Sequence, residues 1–300
     1  MIAAGNPAVA TNVGRPLAGG RRFSLDWIGV VPFLAYAGLF LLLPSTIIAL
    51  GAFVNADGAF TLENYQHLSR SYVVKSTVDT TVISAVTAVA GAILGALLSY
   101  AIVMGSPNGV LRRLVVSASG VLAQFGGVTL AFAFIASIGP AGFVYLFAQA
   151  HGFDYYTHGI WLFERTGLGL VYLYFQIPLM VLVFLPAPDG IKPQWREATD
   201  SRGGNTWHYW RHVAGPLLFP AFLGATLLLF ANAFSAYATA NALINQGQPM
   251  LSQQIGGALS SEVGAFEPGF AKAIAVEMIV IVTLVTVLYS LLQRRTSRWL

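Results

Sequence analysis

Long apolar runs separated by short polar stretches dominate the chain. Six such runs fall at about 27–54, 77–103, 114–138, 168–186, 217–240 and 270–292. Each reaches about 20 residues, and a helix rising 1.5 Å per residue then spans a hydrocarbon core of roughly 30 Å. The pattern predicts an all-α membrane protein of six transmembrane helices. Between the third and fourth runs, 141–150 is apolar but too short to cross. It reads as an interfacial or re-entrant helix, followed by Tyr155, Tyr156 and Trp161, which suit a headgroup boundary. Residues 1–26 are rich in Gly, Ala, Pro and Asn without apolar periodicity and read as a disordered tail. Residues 293–300 form a second short tail.

Composition supports lipid as the solvent. Hydrophobic residues make up 56% of the chain and charged residues 9%, against roughly 25% charged in soluble domains. A soluble protein of this length and composition would expose large apolar patches. The absence of cysteine excludes both a disulfide framework and a thiolate metal site. Arg21-Arg22-Phe23-Ser24-Leu25 loosely resembles a twin-arginine export signal. The apolar run after it is about 28 residues long, rather than a short one with a small-residue cleavage site, so a membrane helix is expected there.

The cations give an orientation. Arg15, Arg21, Arg22, Arg112, Arg113, Lys192, Arg196, Arg202, Arg211, Arg294, Arg295 and Arg298 fall on one side of the six runs; Arg70, Lys75, Arg165 and Lys272 fall on the other. The positive-inside rule then places both termini and the 187–216 loop in the cytoplasm. Eight of the twelve carboxylates lie on or near the opposite side. The basic balance is therefore topological, and nucleic-acid binding has no support.

The stretch 195–216 carries the clearest chemistry. It holds Trp195, Trp207, Trp210, His208, His212, several arginines and a central Gly203-Gly204 pair between two apolar runs. Such a segment must project into water or into a partner. The chain has no GxxxxGK[ST] phosphate loop and no glycine-rich strand-to-helix turn, nor any nucleophile elbow or paired catalytic carboxylates. If the work of this chain is energised by ATP, the energy is expected to come from another chain.

Glu197-Ala198, Gly203 six residues after the glutamate, Val213 and Pro216 resemble the EAA signature of the membrane subunits of binding-protein-dependent ABC importers. That signature reads Glu-Ala-Ala, three residues, Gly, nine residues, Ile-x-Leu-Pro. Two positions depart from it: Thr199 stands where a second Ala is usual and Gly215 where Leu is usual. Leu217-Leu218-Phe219-Pro220, the Asn64-Tyr65 dipeptide and the six-helix plan are similar to the same family. The chain most resembles its polyamine, ferric-iron and thiamine group.

The resemblance implies a type I importer permease in the bacterial inner membrane, with no cofactor. Its implied partners are two ATPase subunits, a second permease that is identical or different, and an extracytoplasmic solute-binding protein. It also implies that Glu197, Ala198, Gly203, Val213 and Pro216 belong to a knob that docks on the ATPase, with Glu197 and Gly203 shaping its turn. The second to fifth helices would then line part of the pore.

Polar groups inside the apolar runs are the remaining candidates, because each ionised one costs roughly 2.5–3.5 kcal/mol at a helix centre. Glu277 in the sixth run and Asn232, Ser235 and Tyr237 in the fifth are expected on a central aqueous path, where a cationic solute would suit the carboxylate. Asp79 and Asn241 stand near run ends. Glu277 equally fits a local pair with Lys272 or a helix–helix seam. His208 and His212, four apart, invite a zinc site, but no glutamate lies between them and Arg211 adjoins one. Gly91, Gly95 and Ser99 form a small-residue stripe that reads as close packing. The alternative is a stand-alone secondary transporter, which would show midplane charges and broken helices in matching positions of two halves.

Overall fold

The computed structural model describes residues 26–55, 58–105, 109–157, 159–244, 249–260 and 267–296. Arg15, Arg21, Arg22 and Arg298 lie outside them. The chain divides into two compact units, Met1–Ile47 and Ile48–Leu300.

In the first unit, α1 (Asp26–Ala37) runs into a π-turn, Gly38–Leu42, and then into α2 (Leu43–Gly51), which carries on into the second unit. The π-turn closes with the Leu43 N–H on the Gly38 carbonyl, directly before Pro44. Proline lacks the N–H for an ordinary helical bond and its ring crowds the carbonyl four residues back, so the helix widens there. The described side chains of this unit are mostly exposed and apolar.

The second unit holds the remaining helices. In order these are α3 (Glu63–Gln66), α4 (Ser71–Met104), α5 (Val110–Gln124), α6 (Gly127–Ile138), α7 (Phe143–Ala150), α8 (Arg165–Phe184), α9 (Pro186–Asp189), α10 (Pro193–Ser201), α11 (Thr206–Tyr209), α12 (Gly215–Phe234), α13 (Tyr237–Leu243), α14 (Leu251–Leu259) and α15 (Pro268–Thr296). The described residues contain no strand. Among the described residues six stretches are long and apolar enough to cross a membrane: Gly29–Gly51, Ser71–Met104, Gly127–Ala150, Arg165–Asp189, Thr206–Phe234 and Pro268–Leu291.

Parallel helices α4 and α8, with α12 antiparallel to both, form the centre. The small-residue stripe is where α4 and α8 meet. A Cβ on Gly91 would come within 2.8 Å of Gln176 Oε1, and one on Gly95 within 2.5 Å of Met180 Cβ. Gln176 is fully buried and donates to Thr87 Oγ1 at 3.2 Å. Arg165 pairs with Asp79 at one end of this seam. Arg112 pairs with Asp189 at the other, a bond that raises the affinity of the Arg112 guanidinium for its proton.

Two expected helices are corrected. The run 114–138 is not one helix. It is interrupted at Phe125–Gly126, and Gly127 takes φ +70°, a left-handed conformation open to glycine at little cost. Together α5 and α6 still run the length of α8: Val115 and Val116 pack near Leu185, and Phe134 meets Tyr174 edge-on at 5.6 Å. The apolar stretch Gly127–Ala150 turns at residues 139–142, where the Gly142 N–H bonds the Gly139 carbonyl at 2.7 Å. Thus α7 stands apart as the short helix expected there.

The run 217–240 also breaks, at Ser235–Ala236, before α13. Ser235 Oγ donates back to the carbonyls of Ala231 (2.9 Å) and Asn232 (3.3 Å), a local alternative to continuing the helix. The Tyr172 hydroxyl donates to the Ala236 carbonyl at 3.2 Å.

Candidate functional site

The polar stretch folds as a hairpin of two helices, and its spacing has a direct structural cause. Helix α10 ends in a Schellman motif: the Gly204 N–H reaches the Thr199 carbonyl and the Gly203 N–H the Asp200 carbonyl, both at 3.0 Å. Such a motif needs its terminating residue in the left-handed region, and Gly203 has φ +75°. The three residues between Thr199 and Gly203 are therefore the last turn of α10. Thr199 keeps the turn tight, since a Cβ on Gly204 would stand 2.6 Å from its Cγ2. Asn205 then caps α11 by accepting the His208 N–H at 3.0 Å.

The hairpin encloses an open groove of about 630 Å³ lined by Trp195, Ala198, Thr199, Arg202, His208 and Val213, among others. The expected docking residues Ala198 and Val213 thus share one surface, while Pro216 opens the first turn of α12. Glu197 does not shape the turn as expected. It is exposed and has no hydrogen-bond or ion-pair partner among the described residues. Glycines set the turn, and the carboxylate is left outward. His208 and His212 stack at 6.1 Å. Their Nδ1 atoms already have partners: Asn205 Oδ1 at 2.8 Å and the His208 carbonyl at 3.2 Å.

A second feature joins the two helix breaks. They face each other, with the Thr239 hydroxyl donating to the Gly127 carbonyl at 3.3 Å. Around them lies a pocket of about 280 Å³ whose lining includes Gly126, Gly127, Phe175, Asn232, Ser235 and Tyr237. Asn232, Ser235 and Tyr237 all border it. Helix starts at Gly127 and Tyr237 leave backbone N–H groups without intrahelical partners, and neither has a side-chain cap.

Glu277 is not part of this pocket. It accepts the Thr77 hydroxyl at 2.8 Å across the α4–α15 seam, and its second oxygen is buried without a hydrogen-bond partner among the described residues. Of the four expected path residues, three come together and the carboxylate stands apart. Sequence reasoning missed Gly127, Phe175 and Thr239. The Phe125-Gly126-Gly127 run was the available signal for the first break; nothing comparable marks the second.

A family model described as "Binding-protein-dependent transport system inner membrane component" matches residues 143–298, just over half of the chain. No curated protein sequence matches it significantly. Several solved structures are similar. A bacterial ABC transporter involved in the import of the acidic polysaccharide alginate superposes with TM-score 0.73 at 16% identity, covering 90% of this chain and 95% of that one. The bacterial alginate ABC transporter in complex with alginate pentasaccharide-bound periplasmic protein gives 0.72 at 15%, covering 90% and 94%. Inward-facing MetNI methionine ABC transporter gives 0.57 at 15%, covering 78% and 98%. At these identities the likeness is one of fold. Family match, helical plan and shared fold agree: the chain belongs to the binding-protein-dependent transport system inner-membrane components, and is a multi-pass permease subunit of an ABC importer of type I architecture.

Proposed function

We propose that this permease forms half of the translocation path of a bacterial solute importer and receives the work of ATP hydrolysis through 195–216. The supporting observation is the hairpin itself. Its Schellman turn, its groove containing Ala198 and Val213, and Glu197, exposed and without a partner among the described residues, give a preformed surface between two apolar spans. It lies at the helix ends that carry Arg112, Arg196 and Arg211, whereas Arg70, Arg165 and Lys272 mark the opposite ends. On the positive-inside rule the hairpin and both termini are cytoplasmic. Two ATPase subunits engage from that side, a second permease completes the path, and a solute-binding protein delivers from the other side. ATP-driven closure of the motor then favours one of two pore arrangements by binding it more tightly.

The solute passes the pocket between the two helix breaks. Non-helical backbone at membrane depth is tolerated where it lines a cavity, and Asn232, Ser235 and Tyr237 supply polar contacts there. A polyamine would call for Glu277 on the same path as Asn232. With Glu277 in another seam, a small polar solute is the reading the pocket favours. The family match does not favour a stand-alone transporter, although paired helix breaks are what that class would display.

Copurification with its ATPase, followed by uptake in proteoliposomes, tests the reading. The complex should hold together, and Glu197→Arg should abolish ATP-dependent uptake while the membrane body stays folded. Uptake by the chain alone, driven by an ion gradient without any ATPase, would overturn it.

A further inference from the structure

The helix that carries the hairpin into the membrane is not α-helical throughout. Between α11 and α12 lies one wide turn, Trp210–Ala214, closed by the Gly215 N–H on the Trp210 carbonyl five residues back. Two residues account for it. Pro216 offers no N–H and its ring crowds the carbonyl four residues earlier. Gly215 lets the turn open, since a Cβ there would stand 2.4 Å from the Trp210 oxygen, a backbone atom. The same order, π-turn then proline, occurs at Gly38–Leu42 before Pro44. Gly215 is also where the chain departs from the leucine usual in the signature it resembles.

The wide turn decides which residues face the membrane body. An α-helix turns about 100° and rises 1.5 Å per residue. One extra residue in the turn therefore shifts everything upstream by about that much against an uninterrupted helix. As built, Trp210 meets Tyr100 of α4 edge-on at 5.1 Å and borders an apolar pocket with Leu97, Leu218 and Phe222. Tyr209 is buried, with the Arg196 guanidinium 6.0 Å from its ring, while Trp207, His208 and Arg211 are exposed. If the turn closed into α-helix, Arg211 would take the place of Trp210. A guanidinium would then enter an apolar pocket, and the His208–His212–Val213 face would swing away from α10.

We propose that the π-turn at Trp210–Ala214 sets the rotational phase of α11, with Gly215 and Pro216 as positioning residues that aim the hairpin at the ATPase subunit. The functional half of this inference rests on the coupling role proposed above; the phase itself does not.

The chain lacks cysteine, so the phase is readable with a short bifunctional thiol reagent in the assembled permease–ATPase complex. Tyr100→Cys with Trp210→Cys should cross-link and Tyr100→Cys with Arg211→Cys should not; in a Gly215→Leu background the preference should reverse. Gly215→Leu should also lower uptake per ATP at least tenfold while the ATPase still copurifies. Deleting Ala214 in that background makes Trp210 the fourth residue back from position 215. An ordinary α-helical bond then restores the original phase, and uptake per ATP should recover to within threefold of wild type.

A purely structural role predicts that the deletion adds to the damage, and that result would overturn the proposal. So would an unchanged cross-link pattern in Gly215→Leu, or a reversed pattern with coupling intact. If the wild-type chain recruits no ATPase, the coupling reading fails instead, and the cross-link pattern still reports whether the turn sets the phase.

Discussion

Gly95→Ala should weaken the centre of the permease although alanine is the better helix former. The new methyl carbon would stand 2.5 Å from Met180 Cβ and 2.8 Å from the Ile177 carbonyl oxygen. Packed carbons rest about 3.5–4.0 Å apart, so α8 must retreat by about 1 Å or Met180 must leave its rotamer. Overpacking of this kind typically costs about 1–3 kcal/mol, and a gap of about 1 Å forfeits up to half of each dispersion contact along the seam. Against this, Gly to Ala within a helix returns about 1 kcal/mol.

The net expectation is a loss of up to about 2 kcal/mol. Gly120→Ala in α5 is the matched control: nothing lies within 4 Å of its added Cβ, so only the gain of about 1 kcal/mol remains. Equilibrium unfolding in mixed micelles, followed by tryptophan fluorescence, should move in opposite directions for the two variants. Shifts of the same sign, or an unaffected Gly95→Ala, would refute the account of α4–α8 packing. They would also leave the Gly91–Gly95–Ser99 stripe without its packing role.

Asp79→Asn and Arg165→Gln should each destabilise the permease, and the double variant by less than their sum, with a coupling energy of about 0.5–3 kcal/mol in a double-mutant cycle. Asn232→Leu should cut uptake more than tenfold at unchanged assembly, whereas Glu277→Gln, whose amide oxygen can still accept the Thr77 hydroxyl, should leave it within threefold. Burial pushes the Tyr156 hydroxyl up to about 12. Because the fold favours its protonated form, its contribution is complete below pH 10, its ordinary value, and is lost as pH rises through about 12. Tyr156→Phe should flatten that alkaline loss in a melting series.

Most of the helical plan is legible in the sequence because lipid imposes it: apolar runs of sufficient length must become helices when no water is present to satisfy the backbone. The hairpin is legible for a different reason. The spacing of Thr199, Gly203 and Gly204 is set by a local hydrogen-bond motif and needs no tertiary information. Tertiary contacts decide the features that escape. The break at Ser235–Ala236 carries no glycine or proline; Tyr172, far away in sequence, takes the freed carbonyl. The break after Phe125 has its glycine pair, but apolar residues on both sides keep the hydropathy signal continuous. Glu277 illustrates the remaining gap. Composition marks it as costly inside a membrane, yet only packing shows that Thr77 on α4 donates to one of its oxygens.

Helix α12 ties the two features together. Its 20 residues span about 30 Å, from the wide turn before Gly215 to the break at Ser235 that borders the pocket. Between those interruptions it is one helix, tied to α15 by the Tyr289 hydroxyl on the Pro220 carbonyl at 3.1 Å; on the proposed reading it delivers displacement at one end to the other. On the proposed reading, both ends sit where backbone bonding is broken because those are the points able to hold two arrangements. Cross-linking Leu97→Cys of α4 to Leu218→Cys of α12, two positions that line the same apolar pocket, with a short cleavable thiol reagent gives the sharpest test, since it fastens α12 itself to α4 without touching the pocket between the breaks. If α12 shifts against α4 during transport, the fastened permease should keep its ATPase and lose uptake, and reducing the cross-linker's cleavable bond should restore it. Full uptake by the fastened form would mean that α4 and α12 move as one body, and the transmitting role of α12 would have to be abandoned.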